Sequence, residues 1–264
     1  MEATITLIAL AAGRSTRYGR PKQLEPVGPH GETIPEISIR QALQAGCHRV
    51  RLVTSPALVE AMQQRFGGDV RIEVCVQQEA RGTAHAAMVG MRGLSGTSIV
   101  VNGDDLYGRE ALDLAMAHAR AGDPAENALV AYSLGRTLSP NGPVNRAVCV
   151  AVAGSLCGTR EVTGLVADGL GVIRDAAGAD HQADVPVSMN LWVFRPAFHS
   201  LLHDAWQVRD ARDHAEFGLP DAVLLALDKG QVFRALRTAA TWYGLTFPED
   251  TARVREYLTQ TNEP

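Results

Sequence analysis

Between Ile5 and Ala12 the chain is almost wholly apolar, and the run stops abruptly at Gly13. A segment this short, with no polar alternation, has the pattern of a strand covered on both faces, as in a parallel sheet. The unit then repeats. After a polar, Gly/Pro-rich stretch from residue 13 to about 32, residues 36–46 read as a helix ended by Gly46. Ile37, Ile39, Ala42, Leu43 and Ala45 are its packing residues. Strands at 50–53, 70–76 and 98–101 alternate with helices at 56–66 and 84–91. Such alternation predicts βαβ units and a parallel sheet with right-handed crossovers. Beyond about residue 127 the texture changes. Segments 129–134, 146–152 and 185–194 alternate between turn-rich loops, and helical patterns return at 196–207, 213–228 and 249–260. The expected fold is α/β and Rossmann-like: a mostly parallel central sheet flanked by helices, with an antiparallel or mixed extension. Without a convincing linker or repeat, residues 1–264 are expected to form a single domain.

Composition narrows the partners. The net charge of −4 carries no basic excess, so no nucleic acid is expected. No apolar run reaches the roughly 18–20 residues that span a bilayer, so no membrane partner is expected. The N-terminal run has no basic flank and reads as a core strand rather than a leader. Cys47, Cys75, Cys149 and Cys157 are far apart, as reduced thiols of a cytoplasmic protein would be. Assembly into a homo-oligomer stays open. Of 25 basic residues only Lys22 and Lys229 are lysines, which marks both as positions where arginine would not serve.

Three segments carry chemistry, and each follows a predicted strand. The first is Leu10-Ala11-Ala12-Gly13 and the loop beyond it, with Arg14, Ser15, Thr16, Arg17 and Lys22. A glycine directly after a buried strand lets the backbone turn at the carboxyl edge of a sheet, where successive N–H groups form an anion site. Arg17 can clamp phosphoryl oxygens by two bonds, whereas Lys22 offers a compact point charge. The second is Asn102-Gly103-Asp104-Asp105-Leu106-Tyr107-Gly108. Its carboxylates emerge at the same edge, where Asp104 can hold magnesium beside a phosphate; Asp105 reads better as a helix-capping residue. The third, Gln77 to Ala86, opens a helix. Here Gly82 would let a flat base approach, Gln77 or the Thr83 hydroxyl could bond the base edge, and His85 reads as a structural histidine.

Taken together, these residues resemble the nucleotidyltransferase superfamily that includes sugar-1-phosphate thymidylyl-, uridylyl- and guanylyltransferases. Its signature, Leu-Ala-Ala-Gly-x-[Gly/Ser]-x-Arg-x-Gly-x-Pro-Lys, is matched from Leu10 to Lys22. Gly82-Thr83-Ala84-His85-Ala86 is similar to the form in N-acetylglucosamine-1-phosphate uridylyltransferases. Gly103 to Gly108 resembles a metal motif of the thymidylyltransferases, one residue shorter. The resemblance implies nucleotide binding by Leu10, Ala11, Ala12, Gly13, Gln77, Gly82, Thr83 and Gly103, with Arg17, Lys22 and Asp104 catalytic and Mg2+ on Asp104. It implies acceptor contacts from Glu161 and Asn190, and so a nucleotide-binding half at 1–126 and an acceptor-binding half at 127–264. It also implies a second metal ligand, Asp or Asn, where this chain has Gly244 in Trp242-Tyr243-Gly244. Asp250 or Asn190 replaces that ligand, or the ion relies on Asp104, waters and phosphates.

The reaction this implies is magnesium-dependent transfer of a nucleotidyl group from an NTP to a phosphorylated small molecule, a sugar 1-phosphate, with release of pyrophosphate. A phosphate dianion needs no general base to attack, in keeping with the lack of a Ser/His/Asp or Cys/His arrangement. The rival readings are a non-sugar acceptor such as phosphocholine or a cyclitol phosphate, and an inactive nucleotide-sensing module.

Overall fold

The computed structural model describes residues 4–13, 18, 21–168, 170–210, 215–245 and 247–261. The first stretch runs β1 (Ile5–Ala11), α1 (Ile34–Gln44), β2 (Arg49–Thr54), α2 (Val59–Phe66), β3 (Ile72–Val76), α3 (Thr83–Met91), β4 (Thr97–Asn102) and a two-residue β5 (Asp105–Leu106). Next come α4 (Arg109–Ala121), β6 (Glu126–Ser133), a long hairpin of β7 (Val144–Val152) and β8 (Ser155–Ala167), short β9 (Ile173–Arg174) and β10 (Asp180–His181), then β11 (Pro186–Phe194). The chain closes with α5 (Pro196–Asp210), α6 (Leu219–Asp228), β12 (Val232–Arg237), β13 (Tyr243–Gly244) and α7 (Asp250–Thr261).

Among the described residues one eleven-stranded sheet runs β10-β9-β8-β12-β6-β11-β4-β1-β2-β3, with β7 bridging β11 and β8. Strands β4, β1, β2 and β3 are parallel neighbours, and β11 enters antiparallel between β4 and β6. All seven residues of β1 are buried, as its unbroken apolar run requires. Leu7, Ala9 and Ala11 pack on one face with Ile39, Leu112 and Met116 of α1 and α4. Ile8 and Leu10 pack on the other with Ala87 of α3, Phe198 of α5 and Val223 of α6. Helix α1 starts where Thr33 and Glu36 form a capping box, Glu36 Oε2 accepting from the Thr33 N–H at 2.7 Å.

Register matters more here than the element count. Asn102 stands opposite Leu10, Ala11 opposite Thr54, and Thr54 opposite Val76. The strand ends are therefore level, and the loops after β1, β3 and β4 leave from one edge of the sheet. That is where open α/β sheets bind ligands.

The expected α/β fold is present, with differences from the sequence pattern in its detail. Helix α4 and strands β8 and β12 were not expected, and the helix foreseen at 213–228 starts at Leu219. Gly218 caps α6, and Pro220 stands in its first turn.

Burial sets a pH limit on the fold. His199 of α5 has its imidazole pushed down to about 4 by desolvation. The unfolded chain takes up this proton near pH 6.5 while the folded chain resists it, so stability is present above pH 6.5 and lost as pH falls toward 4. The loss is on the order of 3 kcal/mol. Melting curves from pH 7 to 4.5 should show a fall that His199→Leu reduces; an unchanged fall would remove His199 as its cause.

Candidate functional site

A cavity of about 570 Å3 opens at the level edge described above. Leu10, Ala12 and Gly13 from the β1 turn line it, together with Gln77, Gly82 and Thr83 from the β3–α3 loop. Asn102 and Asp104 reach it from the end of β4, and Asn190 from β11. Glu216 and Gly218 close it from the loop before α6, a contribution that carried no sequence signal.

Two expected residues act behind this lining. Ala11 is fully buried in the core. Gly103 donates its N–H to the Leu10 carbonyl at 2.8 Å, fastening the β4 loop to β1. A Cβ at Gly103 would lie 3.0 Å from that of Ala11. Lys22 sits in a 3-10 turn, Lys22–Leu24, and its Nζ lies 3.3 Å from Asp104 Oδ2. Both side chains keep part of their surface, 17% and 29%. Arg17 lies outside the described residues, as do Arg14, Ser15 and Thr16. Tyr18 of the same loop is buried, and its hydroxyl meets Thr251 Oγ1 of α7 at 2.6 Å.

Gly82 lines the cavity and is also needed for the fold itself. It holds φ +93°, and a Cβ there would stand 2.3 Å from the Phe217 carbonyl oxygen, so the close neighbour is the protein's own backbone. The Ala84 N–H donates to Phe217 O at 2.9 Å, the Phe217 N–H to Arg81 O at 2.9 Å, and the Leu219 N–H to Thr83 Oγ1 at 2.9 Å. These bonds stitch the loop before α6 onto the β3–α3 loop. Thr83 accepts in that brace and keeps its hydroxyl proton for another partner.

Asp105 is not a helix cap. It lies in β5 opposite Gly244 of β13, only 7% exposed, while Gly108 caps α4. Its Oδ2 accepts from Asn102 Nδ2 at 2.8 Å. Burial, and then the charge of Asp104, push its carboxyl up to about 7. Tyr107, also buried, accepts the Asn102 N–H at 2.9 Å and donates to the Met189 carbonyl at 2.8 Å, tying the β4 turn to β11.

That tie lands beside a bulge. The β11–β6 register slips between Ser188 and Trp192, and Asn190 sits there at φ +62°, a conformation asparagine tolerates. The Trp192 indole N–H donates to Asn190 Oδ1 at 3.2 Å. An indole can only donate, so the carbonyl end of Asn190 faces the tryptophan and its NH2 end remains for a ligand. This leaves the NH2 end of Asn190 as a donor, with one lone pair of Oδ1 taken by the indole.

The other second-half residues stand apart from the cavity lining. Glu161 is exposed on β8, opposite Ala147 of β7. Its charge, with those of Asp105 and Asp250, acts on Arg146, which burial lowers to about 10. Asp250 is buried at the start of α7 and is already engaged: Oδ1 accepts from Asn141 Nδ2 at 2.8 Å and Ser139 Oγ at 3.1 Å, and Oδ2 from the Phe247 N–H at 2.8 Å. These bonds tie the start of α7 to Ser139 and Asn141 and to the turn before the helix. Position 244 has no room for a side chain, since a Cβ would lie 2.3 Å from the Trp242 ring and 2.9 Å from Asp105 Oδ1. Among the described residues no group of three or more His, Cys, Asp or Glu could hold a metal. Among the described residues no helix is long and apolar enough to cross a membrane.

Comparison with known proteins places this geometry. The bifunctional protein GlmU of Exiguobacterium sp. is 30% identical over 242 residues, covering 89% of this chain and 48% of that protein. GlmU of Bdellovibrio bacteriovorus is 35% identical over 105 residues, 38% of this chain and 22% of that one. The chain thus spans about half the length, or less, of these curated relatives. The inositol-1-phosphate CTP transferase from T. maritima superposes with a TM-score of 0.71, covering 100% of this chain and 98% of that chain at 17% identity, which establishes the shared fold. Residues 7–214 match the family model of the MobA-like NTP transferase domain, and the chain belongs to that family.

Proposed function

We propose that this chain transfers a nucleotidyl group from an NTP to a phosphorylated small molecule, a sugar 1-phosphate, releasing pyrophosphate in a magnesium-dependent reaction. The observation that carries the reading is the 3.3 Å contact between Lys22 and Asp104 beside the cavity where the loops after β1, β3 and β4 converge. A cation and a carboxylate at the edge of a ligand cleft suit a polyphosphate and its counterion.

In this reading the β1 turn, Gly13 and Lys22 hold the triphosphate, Gln77 and Thr83 the base, and Asn190 the acceptor. Arg17 and Glu161 are assigned to triphosphate and acceptor by family resemblance alone, as are the nucleotide-binding half at 1–126 and the acceptor-binding half at 127–264. An acceptor phosphate oxygen attacks the α-phosphorus in line; the bond to the bridging β-oxygen breaks and pyrophosphate leaves. Lys22 balances charge that develops on phosphate oxygens, and fixed orientation supplies much of the rest.

The donor set fits a divalent ion of the magnesium type. Asp104 offers a carboxylate, and Asn102, with its NH2 end committed to Asp105, offers a carbonyl oxygen beside it. Position 244 offers no carboxylate, and waters and phosphate oxygens would complete the ion's shell, as magnesium commonly allows. When bound, the ion neutralises charge on the α-phosphate and the leaving pyrophosphate. Pyrophosphate release should therefore require NTP and acceptor together, stop with excess EDTA, and return on adding Mg2+. Release that survives chelation would remove the metal from this reading.

A further inference from the structure

We infer that His85 is a positioning residue for the nucleobase: it fixes the Gln77 carboxamide so that its carbonyl oxygen, never its NH2, meets the ligand. The inference rests on the reading above, because it deepens the base subsite of that same cavity.

Gln77 is 5% exposed and lines the cavity. Its Nε2 lies 3.2 Å from the Gly82 carbonyl oxygen and 3.1 Å from His85 Nδ1. A peptide carbonyl can only accept, so the end of the amide facing Gly82 must be NH2. Its second proton then points to His85 Nδ1, which must accept as a lone pair, placing the imidazole proton on Nε2. With both N–H groups used, Oε1 is the end left to the cavity.

The imidazole is itself held. Its ring stacks on Trp206 of α5 at 4.2 Å and 6°, and the Arg81 guanidinium lies 4.8 Å from the same indole. A rotation that swapped donor and acceptor at Gln77 would set two carbonyl oxygens against each other at Gly82. The subsite therefore offers an acceptor, and the base must present an N–H to it. Reading a base by one buried amide works only if that amide cannot turn over.

Two variants separate positioning from packing. His85→Phe keeps a flat ring on Trp206 but removes the acceptor; His85→Asn removes the ring but keeps an acceptor at the δ position. KM and kcat are measured for wild type and both variants with ATP, CTP, GTP, UTP and dTTP, alongside melting temperatures. For the preferred NTP, His85→Phe should raise KM about tenfold, with kcat within about threefold and discrimination among bases reduced. His85→Asn should stay within about threefold of wild type in KM. A folded His85→Phe with wild-type KM and base selectivity would overturn the inference, as would His85→Asn being the more damaging of the two. Wild-type protein that neither binds nor turns over any of the five NTPs would overturn the underlying reading instead.

Discussion

Replacing Lys22 with alanine is expected to lower kcat for nucleotidyl transfer by about 100- to 1000-fold, the usual cost of removing one preorganised charge that faces a developing anion. The melting temperature should move by no more than about 1 °C, because the Lys22–Asp104 pair keeps part of its surface, 17% and 29%, and such pairs add little to stability. It reaches Asp104 at 3.3 Å from a short 3-10 turn whose fold rests on backbone bonds, Glu25 N–H to Lys22 O at 3.0 Å and Leu24 N–H to Pro21 O at 3.2 Å. Lys22→Arg should recover little of the loss. A planar fork needs more room than an ammonium and cannot serve as the same point charge. In a chain with two lysines among 25 basic residues, that distinction is what the retained lysine suggests. Steady-state kinetics of the two variants decide it. Lys22→Ala turning over at the wild-type rate would end the assignment.

Gly82→Ala is expected to cost about 3–5 kcal/mol, through overpacking against backbone and a side chain forced into positive φ. For a chain of this length that is a drop in melting temperature of about 10 °C. The added methyl would sit 2.3 Å from the Phe217 carbonyl oxygen and 2.6 Å from its nitrogen, so main chain would have to move. Movement there loosens the stitch that brings Glu216 and Gly218 to the cavity, and nucleotide affinity should fall with stability. A glycine kept only for the approach of a base would behave differently: the variant would melt like wild type and lose binding alone. Thermal denaturation with and without NTP separates the two roles.

The sequence pattern discloses what the β1, β3 and β4 loops bring to the cavity far better than what the second half of the chain brings, for a physical reason. Ile5–Ala11 is a strand because nothing in it tolerates water, and its glycine stop predicts the turn that lines the cavity. Asp104 and Gln77 were legible in a similar way, as polar residues where the apolar runs of β4 and β3 end. Helix α4 was also written in the chain, with Ala111, Leu112, Ala115, Met116 and Ala119 on its buried face, but weakly, among Arg109, Asp113 and Arg120. By contrast, nothing local says that β11 lies between β4 and β6, or that Asn190 occupies a bulge there. Neighbouring aspartates look alike in sequence. Only pairing with Gly244 across the fold buries Asp105 and leaves Asp104 at the cleft. His85 reads as a helix residue until Trp206 and Gln77, on other elements, are beside it.

The central claim is joined-product formation, and mass spectrometry of the complete reaction tests it most directly. Purified chain is incubated with Mg2+, each of the five NTPs and a panel of sugar 1-phosphates, cyclitol phosphates and phosphocholine. The account predicts that one pairing yields equal amounts of pyrophosphate and a nucleoside diphosphate carrying the acceptor. Failure of every pairing to give a joined product, or release of inorganic phosphate with no coupling to the acceptor, would contradict it.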